Sequence, residues 1–237
     1  MGLDKAEQLV LLAQVAERAE RYDEMADFMK ELVEMGAPLN SEQRDMLSAA
    51  FKIALGGRRA AVRVAVSVAG EETAEGRPDQ ASLAVGYKNK VEAELKALCE
   101  KVLALLKNHL VPSAGPGEAK TFYLKMMGDY YRYMAEFAEG NARSTAAEEA
   151  KMAYAQGMTE ANALSDVHPV RLGLALNFSV FQHEVLKDNT GAVSTAREAL
   201  TRSSEAIATA PEESRNDALM TMQLLEDNLH LWDAAGQ

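Results

Sequence analysis

Between Ala81 and His109, Val91, Leu95, Leu98, Val102 and Leu105 recur at spacings of four, three, four and three residues. That rhythm is the buried stripe of an α-helix, since a strand would repeat every second residue. At 1.5 Å per residue the helix is roughly 40 Å long. An element of that length needs partners of similar reach to cover its apolar side. Abundant Ala, Leu, Met, Glu, Lys and Gln, with only 6% aromatic residues, favour helical partners over a sheet.

The remaining chain supplies them. Leu3 to about Ala19 carries Leu3, Ala6, Val10 and Ala13 at helical spacing, and a second helix runs from Tyr22 to Met35, ending at Gly36-Ala37-Pro38. Asn40 with Gln43 three residues on predicts a capping box for a third helix. Inside it, Gly56-Gly57 and the alternating Val62, Val64, Val66 and Val68 leave helix, or helix followed by strand, both open. Gly76-Arg77-Pro78-Asp79 leads into the long Ala81–His109 helix, and Pro112 to Gly117 form a loop. A fifth helix from Glu118 to Glu139 is stopped by Gly140-Asn141, a sixth covers Thr145 to Leu164, and Pro169 opens a seventh. An eighth follows the break at Lys187 to Gly191, and Pro211-Glu212-Glu213 opens a ninth ending near Trp232. The expected fold is all-α: nine antiparallel helices with short loops and no fixed-period repeat.

Charge narrows the function. A net charge of -11 argues against bulk nucleic-acid binding. A single cysteine, Cys99, in an apolar setting fits a reducing compartment. No apolar run is long enough to span a bilayer, the N-terminus lacks a secretory pattern, and Ala6 breaks the myristoylation pattern after Gly2. Against this acidic background Lys52, Arg59 and Arg63 are seven and four residues apart, so a helix would align them in one stripe. The bland reading is a solvated basic face with nearby acids as partners; the sharper one is an anion site. Arg132 could add a guanidinium suited to bidentate phosphate contacts, with Tyr133 as a phenolic donor and Asp129 to orient both.

An enzyme is the first rival. No glycine-rich nucleotide motif is present, the 112–117 loop lacks the Gly-Lys-Ser/Thr of a phosphate loop, and His109, His168, His183 and His230 show no metal-ligand spacing. No cofactor is expected. A helical scaffold for unphosphorylated acidic or amphipathic peptides is the second rival.

Four long segments resemble the 14-3-3 proteins. These are Phe122-Tyr123-Leu124-Lys125-Met126 with Gly128 to Tyr133, then His168 to Phe181, then Ala19 to Asp23, and finally Met222 to Leu225 with Asp227-Asn228-Leu229 and Leu231-Trp232. They occur in one order across almost the whole chain. The resemblance implies one domain, residues 1–237, forming an L-shaped subunit with an amphipathic groove and dimerising into a cup. Residues 1–110 would supply the dimerisation and groove-floor helices, and 117–232 the remaining groove helices. It implies a non-enzymatic adaptor that clamps phosphoserine or phosphothreonine segments of client proteins and regulates signalling. The partners would be phosphorylated proteins and a second subunit, as homodimer or as heterodimer with a related chain, with no nucleic acid and no membrane insertion. The compartment would be the cytoplasm and also the nucleus.

Residue by residue, Lys52, Arg59, Arg63, Arg132 and Tyr133 match the family's phosphate pocket. Asn177 and Asn228 match the side chains that hold the ligand backbone extended. Leu176, Val180, Leu224 and Leu231 match the apolar wall, Lys125 and Glu184 match charges beside the ligand, and Trp232 matches the last-helix tryptophan. At the dimer interface, Arg21 with Glu94 and Glu24 with Lys90 match ion pairs, and Val15 and Tyr87 match packing positions. The match also favours continuous helix over the valine alternation, and leaves Arg58 about 100° away from Arg59. Departures accompany it. Ala60 and Ala61 replace serines and Val62 a tryptophan, so the hydroxyl used by some members for phosphorylation-controlled dissociation is missing. Thr221 replaces an aliphatic residue, Glu226 stands where a basic residue is common and is expected near the groove, and only Asp233 to Gln237 follow Trp232.

Overall fold

The computed structural model describes residues 2–235, with the side chains of all but 213 and 233–235. The side chains of Asp233 to Gln237, the stretch that follows Trp232, lie outside the described ones. Among the described residues there is no strand, and nine long helices carry the fold. They are α1 Lys5–Arg18, α2 Tyr22–Glu34, α3 Ser41–Ala74, α4 Pro78–Leu105, α5 Glu118–Phe137, α6 Gly140–Glu160, α7 Pro169–Glu184, α8 Asn189–Ala206 and α9 Glu212–Ala235.

The chain divides into two compact units at Ser113/Ala114. In the first, α3 and α4 form the most extensive pairing, and α2 packs on α3 and on α1. Its core includes Leu47, Phe51 and Leu55 of α3 with Leu95, Cys99 and Val102 of α4. In the second, α5 pairs with α6, α7 with α8, and α9 closes on both α7 and α8. Val167, Leu172, Ala196, Ala218, Met222 and Leu225 form a core there, with Leu176 and Trp232 against its edge.

Local chemistry explains the boundaries. Asn40 caps α3 through its Oδ1, which accepts from Gln43 N at 2.9 Å, while Gln43 Oε1 accepts from Asn40 N at 3.1 Å. That capping box starts a helix that continues unbroken through Gly56-Gly57 and all four valines. Tertiary burial decides the point: Val62 and Ala65 face the core, while Val64, Val66 and Val68 are exposed, which is helical and not two-residue order. His168 caps α7 with Nδ1 accepting from Val170 N at 3.3 Å, and Pro169 follows at the first turn.

Several boundaries differ from the sequence expectation. α4 begins at Pro78, three residues early, because proline suits a first turn. It continues through a π segment, Leu106–Leu110, into a last turn at Val111–Ser113. The wider turn stands just before Pro112, whose ring and missing N–H do not fit the ordinary ladder. α5 stops at Phe137 because Ala138 is extended (φ -83°, ψ 155°), and Gly140, with φ +54°, opens α6 where it was expected to end α5.

Candidate functional site

In the first unit, Lys52, Arg59 and Arg63 share one stripe of α3, with Lys52 and Arg63 exposed and Arg59 half-buried. Arg58 points elsewhere. Its Nη1 donates to the Ala54 carbonyl at 2.9 Å and lies 3.0 Å from Asp23, and its Nε is 3.8 Å from Glu94. The expected interface residues Val15 and Tyr87 are 54% and 55% exposed. Arg21 Nε donates to Glu24 Oε2 of the same chain at 2.7 Å, so an intersubunit pair with Glu94 would require an exchange of partners. Lys90 is exposed.

The second unit holds a buried polar network centred on Asp129. Gly128 makes it possible. A Cβ at Gly128 would lie 2.6 to 2.8 Å from three ring atoms of Tyr154, so only glycine lets that ring lie against α5. Tyr154 is further held by Phe178 and Phe181, with ring centroids at 5.5 and 5.4 Å. Its hydroxyl donates to Asp129 Oδ1 at 2.6 Å and accepts from Arg132 Nε at 3.3 Å. Asn177 Nδ2 donates to the same Oδ1 at 2.8 Å, and Lys125 Nζ donates to Oδ2 at 2.9 Å. Arg132 Nη2 lies 3.6 Å from Asp129 Oδ1 and Nη1 donates to Glu136 Oε1 at 3.2 Å, while its guanidinium carbon sits 4.5 Å above the Tyr133 ring.

Arg132 is thus a cation only 9% exposed yet satisfied on each nitrogen. Burial works against the Asp129 charge, but Lys125, Arg132 and the Tyr154 hydroxyl hold its carboxyl below the usual range. Burial and the neighbouring Asp129 carboxylate push the Tyr154 phenol well above its ordinary value, keeping it a hydrogen donor. The Arg132 guanidinium is charged throughout.

The same unit gathers the remaining candidates on α7 and α9. Leu176, Asn177 and Val180 are half-buried on α7, and Glu184 is exposed at its end. On α9, Leu224, Asn228 and Leu231 share one face, with Leu224 52% and Leu231 66% exposed. Trp232 is half-buried and stacks on His183, with ring centroids 4.8 Å apart and planes 15° apart. Glu226 lies two residues from Asn228 on α9, and so points from a different side of that helix. Tyr154, Glu136 and His183 were not foreseen as contributors. The signal for Tyr154 was Gly128, an isolated glycine inside a strong helix, which usually has a packing reason.

Among the described residues no group of three His, Cys, Asp or Glu is arranged to hold a metal, and no helix is long and apolar enough to cross a membrane. The sequence profile described as 14-3-3 protein matches residues 12–233. The 14-3-3-like protein G-BOX factor 14 lambda of Arabidopsis thaliana is 46% identical over 231 residues, covering 95% of this chain and 93% of its own length. The 14-3-3 protein zeta of Bombyx mori is 45% identical, covering 100% of this chain and 95% of its own, and the 14-3-3-like protein 2 of Caenorhabditis elegans is 45% identical over 98% and 94%. That family consists of dimeric adaptors for phosphorylated client proteins and not of enzymes, which removes the catalytic reading. With a profile spanning nearly the whole sequence and relatives matched from end to end, this chain belongs to the 14-3-3 family.

Proposed function

We propose that this protein is a phosphoserine/phosphothreonine-dependent adaptor that clamps phosphorylated client segments and regulates signalling. Lys52, Arg59, Arg63, Arg132 and Tyr133 hold the phosphate. Lys125, Leu176, Asn177, Val180, Glu184, Leu224, Asn228, Leu231 and Trp232 hold the flanking peptide. The first unit dimerises through Val15, Arg21, Glu24, Tyr87, Lys90 and Glu94, with a second copy or a related chain. The compartment is the cytoplasm, with the nucleus as a second one.

The observation that carries the phosphate reading is Arg132. A buried guanidinium fixed by Asp129, Glu136 and Tyr154 is a costly arrangement for folding alone. It supplies a charge with fixed orientation, as recognition of a tetrahedral dianion demands. An acidic, unmodified segment offers carboxylates of lower charge and gains less from the same cations.

The test is fluorescence anisotropy with one peptide in phosphorylated and unphosphorylated forms, repeated for Arg59→Ala and Arg132→Ala. The expected result is a strong preference for the phosphorylated peptide, reduced at least tenfold by either substitution. Equal affinity for the two forms would instead favour the scaffold reading. Sedimentation at micromolar concentration tests the dimer.

A further inference from the structure

Within the second unit, the side chain proposed for phosphate and the one proposed for the ligand backbone converge on a single atom. Asp129 Oδ1 accepts from Asn177 Nδ2 at 2.8 Å and from the Tyr154 hydroxyl at 2.6 Å, and that hydroxyl accepts from Arg132 Nε at 3.3 Å. Asp129 and Tyr154 are both buried, so neither can exchange these bonds for water. Asn177 spends one amide proton on Asp129 and keeps a second proton and its carbonyl for an extended chain. Arg132 in turn divides its charge between Asp129 and Glu136.

A bound phosphate changes that division. As it takes up part of the Arg132 charge, Asp129 is answered less by Arg132 and leans harder on Lys125, Tyr154 and Asn177. The Asn177 amide is then held more firmly in the orientation that presents its free groups. We infer that Tyr154 is a positioning residue which, acting through Asp129, couples the phosphate subsite to the backbone subsite. This inference rests on the phosphopeptide reading above.

Tyr154→Phe removes the hydroxyl and keeps the ring against Phe178 and Phe181, which preserves the packing of the unit. The experiment measures Kd for a fluorescein-labelled phosphoserine peptide with the full chain as wild type, Tyr154→Phe, Asn177→Ala and the double variant. Each single substitution is expected to weaken binding about tenfold, as for loss of a hydrogen bond to a charged group. The double variant is expected to weaken it about 10- to 20-fold, far short of the 100-fold product, because either change releases the same carboxylate oxygen. Tyr154→Phe combined with Leu224→Ala, whose side chain is exposed on α9, is expected to reach the product of its two single effects. Multiplicative effects in the Tyr154→Phe/Asn177→Ala pair, or an unchanged Kd for Tyr154→Phe, would overturn the coupling while phospho-dependence in the wild type still stands. Should Tyr154→Phe melt below the assay temperature, the same cycle with Asp129→Asn and Asn177→Ala decides by the same criterion. A wild type that binds both peptide forms equally would overturn the functional reading first.

Discussion

Replacing Gly128 by alanine tests the packing that holds the Asp129 network together. The added Cβ would stand 2.6 Å from Tyr154 Cδ1, 2.7 Å from Cε1 and 2.8 Å from Cγ, about 1 Å inside ordinary contact. The ring cannot retreat freely, because Phe178 and Phe181 lie against it and its hydroxyl is bonded to Asp129. Overpacking of this kind costs about 1–3 kcal/mol. Pulling the hydroxyl off a charged partner adds about 1.5 kcal/mol. Alanine returns about 1 kcal/mol through its better helix propensity. The net expectation is a loss of about 1.5–3.5 kcal/mol, measured by urea denaturation followed by far-UV circular dichroism. The matched control is Gly57→Ala on α3, where a Cβ meets nothing within 4 Å, so propensity acts alone and stability should rise by about 0.5–1 kcal/mol. Equal effects at the two glycines, or a gain at Gly128, would refute the claim that Tyr154 needs a glycine beside it.

Asp129 is held ionised below the ordinary carboxylate range, so its contribution to stability is present above about pH 4 and is lost as the pH falls through its lowered value. The gap in melting temperature between wild type and Asp129→Asn should therefore be widest near pH 7 and close on acidification, as calorimetry across pH 2–7 will show. Trp232 is the single tryptophan, which makes its fluorescence a site-specific probe. His183→Ala removes the ring stacked on it and should raise acrylamide quenching, whereas His183→Phe should leave quenching close to wild type. Arg132→Lys should weaken phosphopeptide binding nearly as much as Arg132→Ala in anisotropy, because a single ammonium cannot meet Tyr154, Glu136 and Asp129 together.

The helices were legible because burial acts on one face at a time. The α4 stripe and the Asn40/Gln43 box each involve residues within a few positions of one another, and local physics is enough to decide them. The α3 alternation of Val62, Val64, Val66 and Val68 was not decided locally. Which valine is buried depends on α2 and α4, not on neighbours in sequence. The cationic stripe was legible for the same reason as the helices, and so was the separation of Arg58 from Arg59. The Asp129 network was only half legible. Lys125 and Arg132 lie four and three residues from Asp129, within reach on one helix. Tyr154 and Asn177 arrive from 25 and 48 residues away, and no spacing rule announces them.

The cations proposed for phosphate differ in how far folding has already fixed them, and this bears on their separate roles. Lys52 and Arg63 are exposed side chains with rotamer freedom to lose, worth up to about 2 kcal/mol each on immobilisation. Arg132 has lost that freedom on folding, since its three nitrogens are oriented by Tyr154, Glu136 and Asp129. Orientation settled in advance is not charged again when a ligand arrives. On the proposed function, the exposed cations would therefore contribute attraction that falls with ionic strength, and Arg132 geometry that salt screens far less. In a chain of net charge -11, whose long-range field repels an anionic client, the proposed function makes the fixed guanidinium the part of the site expected to set affinity for a phosphate once contact is made.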